Sequence, residues 1–474
     1  MTSTPAAGVA AGPLPEREAW KALAAMVVGF FMILVDQTIV AVATEAFRTE
    51  LGASTNEVIW VTSAYLLAYV VPLLFTGRLG DQVGPRTVAI AGLVLFTASS
   101  AWCGLSSSVE MLVVARVVQG LGAALLTPQS LSVISRVFAP GRRGAAMGLW
   151  GAVAGIANVV GPVAGGAIVS AWGWQWIFFV NVPVGVLGVV LVWRWVPRLP
   201  TTAHRYDLVG IALSGLGLFL LVFGIQEGET LHWNALSVSC AVAGVAVLAV
   251  FVWWQSRVRT EPLMPLAVFR DRNFSLGTTA VTTVGFATAG MMVPFMFYLQ
   301  GVLGHGPTEA GLILLPMALV AGVLAPFVGR LSDAVDPRLL TGVGYLSFVV
   351  ALVWLWAVMG PHTPVTTLLA PVALLGVANG CVWAPTSSTA MRELPPQVAG
   401  AASGVYNTSR QVGAVLGSAA IGALMQSRVS ATGDMATGIG ESMLLPAAVL
   451  LVGLLATSFF RTDLARPGRA GRSG

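Results

Sequence analysis

The stretch Gly77-Arg78-Leu79-Gly80-Asp81-Gln82-Val83-Gly84-Pro85-Arg86 occurs a second time in the chain, as Gly329-Arg330-Leu331-Ser332-Asp333-Ala334-Val335-Asp336-Pro337-Arg338. Seven of the ten positions are identical, and each copy lies between two long apolar runs. A match of this length at corresponding places marks a duplicated chain. A second echo agrees: Gly144-Ala145-Ala146-Met147-Gly148 returns as Gly400-Ala401-Ala402-Ser403-Gly404, and Gly161 and Gly166 return as Gly417 and Gly422. Paired membrane halves are a common architecture of secondary transporters.

The composition supports a membrane location. Of 474 residues, 56% are hydrophobic and 9% charged, where soluble domains carry about 25% charged residues. A spanning helix needs about 20 apolar residues, and fourteen segments supply them: 22–44, 57–76, 86–105, 109–133, 145–170, 175–194, 207–226, 235–254, 274–300, 309–328, 339–358, 364–391, 398–426 and 440–460. The expected fold is an all-α integral membrane protein with 14 transmembrane helices. It divides into a six-helix bundle over 1–200, two additional spans with cytoplasmic linkers over 201–270, and a second six-helix bundle with a short basic tail over 271–474.

Basic residues set the orientation. With both termini on one side, 21 of the 25 Lys and Arg fall in the termini and in the loops of that same side. Only Arg48 and Arg428 fall on the opposite face, and Arg116 and Arg410 lie within spans. The positive-inside rule therefore places both termini in the cytoplasm. Orientation also accounts for the net charge of +5, which leaves a nucleic-acid partner little to explain. The N-terminus lacks a short apolar region followed by a small-residue cleavage site, so the first helix is expected to be retained. Cys103, Cys240 and Cys381 are far apart in apolar segments, and neither a disulfide framework nor a metal site is expected.

Few polar residues interrupt the spans. Asp36 lies near the middle of helix 1, where a carboxylate costs about 2.5–3.5 kcal/mol on insertion scales and usually handles ions or protons. The same carboxylate also suits a structural partner for Arg116 of helix 4, and both roles can hold. Arg116 is always charged, and Gln119 and Gly120 share its helix face. Glu45 is expected near the outer end as a solvated mouth residue. In helix 5, Gly148, Ala157, Gly161-Pro162 and Gly165-Gly166 form a seam of small residues for close helix approach. Pro162 bends that helix, and the seam suits either fixed packing or a moving interface.

The repeated loop is expected to make a tight cytoplasmic turn, with Pro85 opening helix 3. Gly77, Arg78, Asp81 and Arg86, with Arg330, Asp333 and Arg338 of the copy, are candidates for a latch that joins the halves in one state and parts in another. Candidate substrate-cavity residues are Tyr65 on helix 2, Asn158 on helix 5, Phe295 and Tyr298 on helix 9, Asn379 and Trp383 on helix 12, and Asn407, Arg410 and Gln411 on helix 13. For Tyr65 an ordinary packing stripe explains the face as well, and for the helix 9 and helix 12 residues simple packing is the commoner explanation. The stripe at 407–411 is the exception, because a buried Arg demands a partner.

These stretches resemble the major facilitator superfamily, and within it the fourteen-helix drug:proton antiporters. Leu112 to Ala124 fits the family's proton-coupling pattern L-x-x-x-R-x-x-Q-G-x-G-A-A at every fixed position. Helix 5 fits the antiporter pattern G-x8-G-x3-G-P-x2-G-G, except that Ala157 replaces one glycine. The loop departs from the superfamily signature at Gln82 and Pro85, and the surroundings of Asp36 fit the group only in part. Gly173-Trp174-Gln175-Trp176-Ile177-Phe178-Phe179-Val180-Asn181-Val182-Pro183 is similar to the group's approach to helix 6.

The resemblance implies a non-enzymatic, proton-coupled antiporter in a bacterial cytoplasmic membrane. It would export amphipathic drugs or small metabolites by alternating access, with Asp36, Arg116 and Gln119 in proton coupling. The alternative is a proton-independent facilitator or importer of a small organic solute. No cofactor is expected, since the proton gradient supplies the drive. The expected partners are substrate, protons and membrane lipids, with the chain acting as a monomer. One carboxylate against two arginines makes neutral, zwitterionic or anionic cargo more fitting than divalent cations.

Overall fold

The computed structural model describes residues 13–139, 142–201, 207–258, 262–331, 335–394 and 399–461. They form fourteen membrane-length helices: α1 (Glu16–Glu50), α2 (Thr55–Val83), α3 (Pro85–Gly104), α4 (Val109–Val137), α5 (Arg143–Trp172), α6 (Trp176–Trp195) and α7 (Leu208–Gln226). They continue with α8 (Ala235–Arg257), α9 (Arg272–Val302), α10 (Pro307–Gly329), α11 (Pro337–Val358), α12 (Val365–Met391), α13 (Ala399–Thr432) and α14 (Met435–Ser458). The all-α, fourteen-span expectation holds, and helices fit because hydrocarbon leaves no other way to satisfy the backbone.

Local sequence marks many of the ends. Ser54 and Glu57 form a capping box at α2, and the side chains of Ser108, Asp207, Asn234 and Asp271 cap α4, α7, α8 and α9. The turn between α2 and α3 is shorter than expected. Helix α2 continues through Val83, so most of the repeated loop is helical, and only Gly84, at φ +100°, breaks it before Pro85 opens α3. Gly80 permits this extension because a Cβ there would lie 1.8 Å from Gln129 Oε1 on α4.

Among α1–α6, α2 and α3 pack on α4, α5 packs on α1, and α6 packs on α1 and α3. Among α9–α14 the matching pairs are α9 with α13, α10 and α11 with α12, and α14 with α9 and α11. The inserted pair α7 and α8 packs on itself, and α7 also leans on both α2 and α13. The inserted pair therefore touches both sets of helices.

The two sets of helices meet along α2 with α13 and α5 with α10. A Cβ on Gly166 would sit 2.4 Å from the Pro307 carbonyl oxygen, and one on Gly311 would sit 2.6 Å from that of Pro162. Thr308 Oγ1 donates to the Gly166 carbonyl at 3.0 Å, Ser63 and Ser418 hydroxyls pair at 3.1 Å, and Gln300 Nε2 donates to the Val42 carbonyl at 2.9 Å. These contacts lie toward the helix ends that the basic residues assign to the outside, so the conformation is closed outward.

Candidate functional site

The centre of the α1–α6 set is a cluster of polar side chains drawn from five helices. Asp36 on α1 is fully buried, and Arg116 on α4 is 1% exposed. Arg116 Nη1 donates to Asp36 Oδ2 at 2.5 Å and to Gln119 Oε1 at 2.5 Å, while its Nε donates to the Val61 carbonyl of α2 at 3.2 Å. The other carboxylate oxygen, Asp36 Oδ1, accepts from Gln119 Nε2 at 3.0 Å and from Asn181 Nδ2 of α6 at 2.9 Å. Gln119 Nε2 and Asn181 Nδ2 also reach the Ser100 hydroxyl of α3, at 2.6 and 3.3 Å.

The arrangement follows from helical spacing and small residues. Arg116 and Gln119 are three apart and share a face. Gly120 lets that face approach α2, since a Cβ there would meet the Tyr65 carbonyl oxygen at 2.4 Å. The Tyr65 ring then covers the guanidinium, with its centroid 4.0 Å from Arg116 Cζ. This tyrosine is fully buried in the ion-pair cluster. Its place is on the charged pair, away from the open cavity to which its helical spacing had suggested it belonged.

A buried ion pair is costly to form and more costly to break: removing one partner typically loses about 3–5 kcal/mol because the other charge is stranded. The geometry here is that of an ionised carboxylate, which accepts from three side chains. A proton added to Asp36 would cancel its attraction to Arg116 and disturb α1, α2, α3, α4 and α6 together.

Sequence reasoning missed Asn181 and Ser100. Asn181 carried a signal, being a polar residue inside an otherwise apolar helix within the quoted stretch before Pro183. Ser100 carried none, because one small hydroxyl residue in a span is unremarkable in a sequence. Glu45 also differs from expectation: its side chain is 21% exposed, Oε1 pairs with Arg48 at 2.9 Å, and Oε2 is buried without a partner.

The seam glycines sit where close approach needs them. Cβ atoms on Gly161 and Gly165 would meet Thr38 Oγ1 at 1.8 Å and Ile39 Cγ1 at 2.5 Å on α1, two to three residues past Asp36. Gly166 faces α10 instead. The seam thus touches both the helix of the buried carboxylate and the opposing set. The Asn158 and Gly148 side positions lie outside the described residues.

The latch residues have local partners in this conformation. Asp81 pairs with Arg136 of α4. Arg78 donates to the Pro262 carbonyl, and Arg86 donates to the Trp193 carbonyl at 2.6 Å. In the second copy, Arg338 donates to the Phe460 carbonyl, while the Arg330 side chain and Asp333 lie outside the described residues. Gly77 lies near Pro128 of α4.

The remaining cavity candidates separate into two groups. Phe295 and Tyr298 are packed into the apolar core at the outer part of α9, and the Tyr298 hydroxyl donates to the Gly360 carbonyl at 2.8 Å. They do not line open space here. Asn379, Trp383, Asn407 and Arg410 are half-buried, and Gln411 is 2% exposed. Arg410 Cζ lies 5.8 Å from the Trp383 ring centroid, and Trp383 Nε1 donates to Asn379 Oδ1 at 3.2 Å. A separate pocket of about 690 Å³ opens at the outer end, between the α7–α8 turn, the start of α2 and the junction of α13 with α14. Glu227 ties that turn to α2 by accepting from Asn56 Nδ2 at 2.8 Å and Trp60 Nε1 at 2.6 Å.

Fourteen spanning helices, arranged as two sets closed together at one end around buried polar groups, define a membrane transporter. Residues 25–418 match the Major Facilitator Superfamily, and the chain belongs to that superfamily. It is 48% identical to the uncharacterised MFS-type transporter Rv1250 of Mycobacterium tuberculosis, over 95% of this chain and 82% of that protein. It is 37% identical to the tetracenomycin C resistance and export protein of Streptomyces glaucescens, over 90% of this chain and 79% of that protein. Among solved structures, a D-xylose-proton symporter shares the fold, with a TM-score of 0.66 at 14% identity, covering 94% of this chain and 98% of that one. The chain is thus a multi-pass transporter of the bacterial cytoplasmic membrane, and not an enzyme.

Proposed function

We propose that this transporter is a proton-coupled antiporter that exports amphipathic drugs or small metabolites from the cytoplasm by alternating access, working as a monomer. The observation that carries the reading is the buried Asp36–Arg116 pair, whose carboxylate is held by Gln119 and Asn181 in the middle of the membrane. Kinship with a resistance and export protein supports outward drug movement.

In this reading Asp36 carries the proton and Arg116 and Gln119 hold its charged form. With the outer side open, proton entry from outside neutralises Asp36 and frees Arg116 as substrate leaves outward. The α5 seam, packed on α1 just past Asp36, carries the change to α10 and returns the protein to the outward-closed state. There, release of the proton to the cytoplasm restores the pair and resets the site for cargo. Each proton moved inward supplies about 2.3 kcal/mol per 100 mV of membrane potential. The motif loops act on the cytoplasmic side, with Asp81 exchanging Arg136 for partners that join the halves when the inside closes.

The test is uptake of a fluorescent amphipathic dye into inside-out vesicles or proteoliposomes under an imposed pH gradient. Gradient-driven accumulation that collapses on adding a protonophore supports the antiporter. Movement indifferent to the gradient makes the protein a facilitator and Asp36 a structural partner of Arg116.

A further inference from the structure

We infer that Arg410 is the recognition group for an anionic cargo, so that the transported class is amphipathic organic anions bearing an aromatic ring. This rests on the export reading above and narrows it. An arginine is charged at every accessible pH and inside a membrane requires a counter-charge. Arg116 has one in Asp36, but among the described residues Arg410 makes no hydrogen bond and no ion pair. Its described neighbours are the Trp383 ring, at 5.8 Å, with Tyr69 and Tyr406 in electrostatic reach.

Buried Asp36 and three carboxylates at the helix ends of the α9–α14 set are committed elsewhere. Glu309 pairs with His305, Glu393 accepts from Asn273, and Glu441 pairs with Arg428, all at helix ends. Asp36 is enclosed by Arg116, Gln119 and Asn181. Among the described residues none supplies the missing negative charge, and on this inference a ligand brings it.

Two further groups beside Arg410 in sequence are waiting for partners. Gln411 Nε2 and the Tyr406 hydroxyl are buried without any, on residues 2% and 6% exposed. Both can donate to an oxyanion. The half-buried Trp383 ring beside the guanidinium offers an apolar face to an aromatic body. Arg410 also lies in the part of α13 nearer its cytoplasmic end, and the outer side is shut, so the site is placed where an exporter must load. The charge balance then favours export: one monoanion leaving as one proton enters moves two charges down an inside-negative potential, whereas exchange of a monocation for one proton moves none.

The experiment measures binding of anthracene-9-carboxylate and of its uncharged amide to the purified full-length protein, by quenching of tryptophan fluorescence. A charge-assisted hydrogen bond predicts that the carboxylate binds about ten-fold or more tightly than the amide. Arg410→Gln should bring that ratio close to one, and Arg410→Lys should keep part of it, which controls for misfolding. Equal affinities in the parent protein, no binding of either probe, or a ratio unchanged in Arg410→Gln would each overturn the inference. Proteoliposomes separate this from the proton-coupling proposal. Gradient-driven transport that ignores cargo charge removes this inference alone, while charge-selective binding without any response to a pH gradient supports this inference and removes proton coupling.

Discussion

Two arginines lie inside the membrane, one in each set of helices, and their surroundings are opposite. Arg116 is 1% exposed, locked to Asp36 and Gln119, hydrogen-bonded to a backbone carbonyl and covered by the Tyr65 ring. Arg410 is half-buried, beside Trp383, with no hydrogen bond or ion pair among the described residues. The first charge is already answered within the fold and can only act by losing its partner. The second has no answering group among the described residues. The duplicated chain thus keeps its symmetry in the seams and breaks it in the polar groups.

The strongest way to break this contrast is to strand the buried carboxylate. Arg116→Ala should destabilise the protein by about 3–5 kcal/mol, seen as a large fall in thermal unfolding temperature in detergent. A fall no greater than that of Arg410→Gln would erase the distinction.

Next is the seam that links Asp36 to the opposing helices. Gly166→Leu places side-chain atoms where even a Cβ would lie 2.4 Å from the Pro307 oxygen. Overpacking of this kind costs about 1–3 kcal/mol. That is roughly five- to 150-fold against the outward-closed state, read as an increased distance between spin labels at the outer ends of α5 and α10.

Arg410→Gln should matter little to the fold. With no partner to strand, its stability should stay within about 0.5 kcal/mol of the parent, even while its binding behaviour changes. A loss comparable to that of Arg116→Ala would mean that Arg410 is a structural charge.

The smallest effect concerns the inserted pair. Burial alone would raise the Asp207 carboxyl, but hydrogen bonds from Trp254 Nε1, the Gly210 N–H and Gln255 Nε2 outweigh it and hold the group below its usual value. Its contribution is therefore present above the unfolded carboxyl pKa of about 3.9 and lost as pH falls through the lower folded value. Unfolding measured between pH 7 and pH 3 should show a fall below about pH 4 that is shallower in Asp207→Asn, with a difference under about 1 kcal/mol because the site is partly solvated. Equal acid sensitivity would show that α7 and α8 are held by apolar packing alone.

Much of this was legible in the sequence because membranes simplify the code. Fourteen apolar runs, the duplicated loop and the placement of basic residues led to the span count and orientation, and Asp36 and Arg116 stood out as charges in spans. The partners did not. Asp36 is joined directly by Asn181, and through Gln119 and Asn181 by Ser100, from helices that sequence spacing cannot bring together, since no periodicity relates α1 to α3 or α6. Tyr65 has the spacing of a cavity face, yet Gly120 draws α4 against α2 so closely that the ring stacks on Arg116. The repeated loop looked like a turn because of its glycines, but Gly80 serves contact with Gln129 and only Gly84 ends the helix. Asp81 found Arg136 because that loop ends beside α4, a proximity absent from the linear order.

The most direct test of the central role given to Asp36 uses proteoliposomes loaded with a pH-sensitive dye and carrying the parent protein or Asp36→Asn. Internal pH and substrate movement are recorded together after substrate is added under an imposed gradient. Stoichiometric proton movement is expected in the parent, and in Asp36→Asn substrate movement only down its own gradient, with no accompanying proton flux. Proton-coupled uphill transport retained by Asp36→Asn would contradict that role.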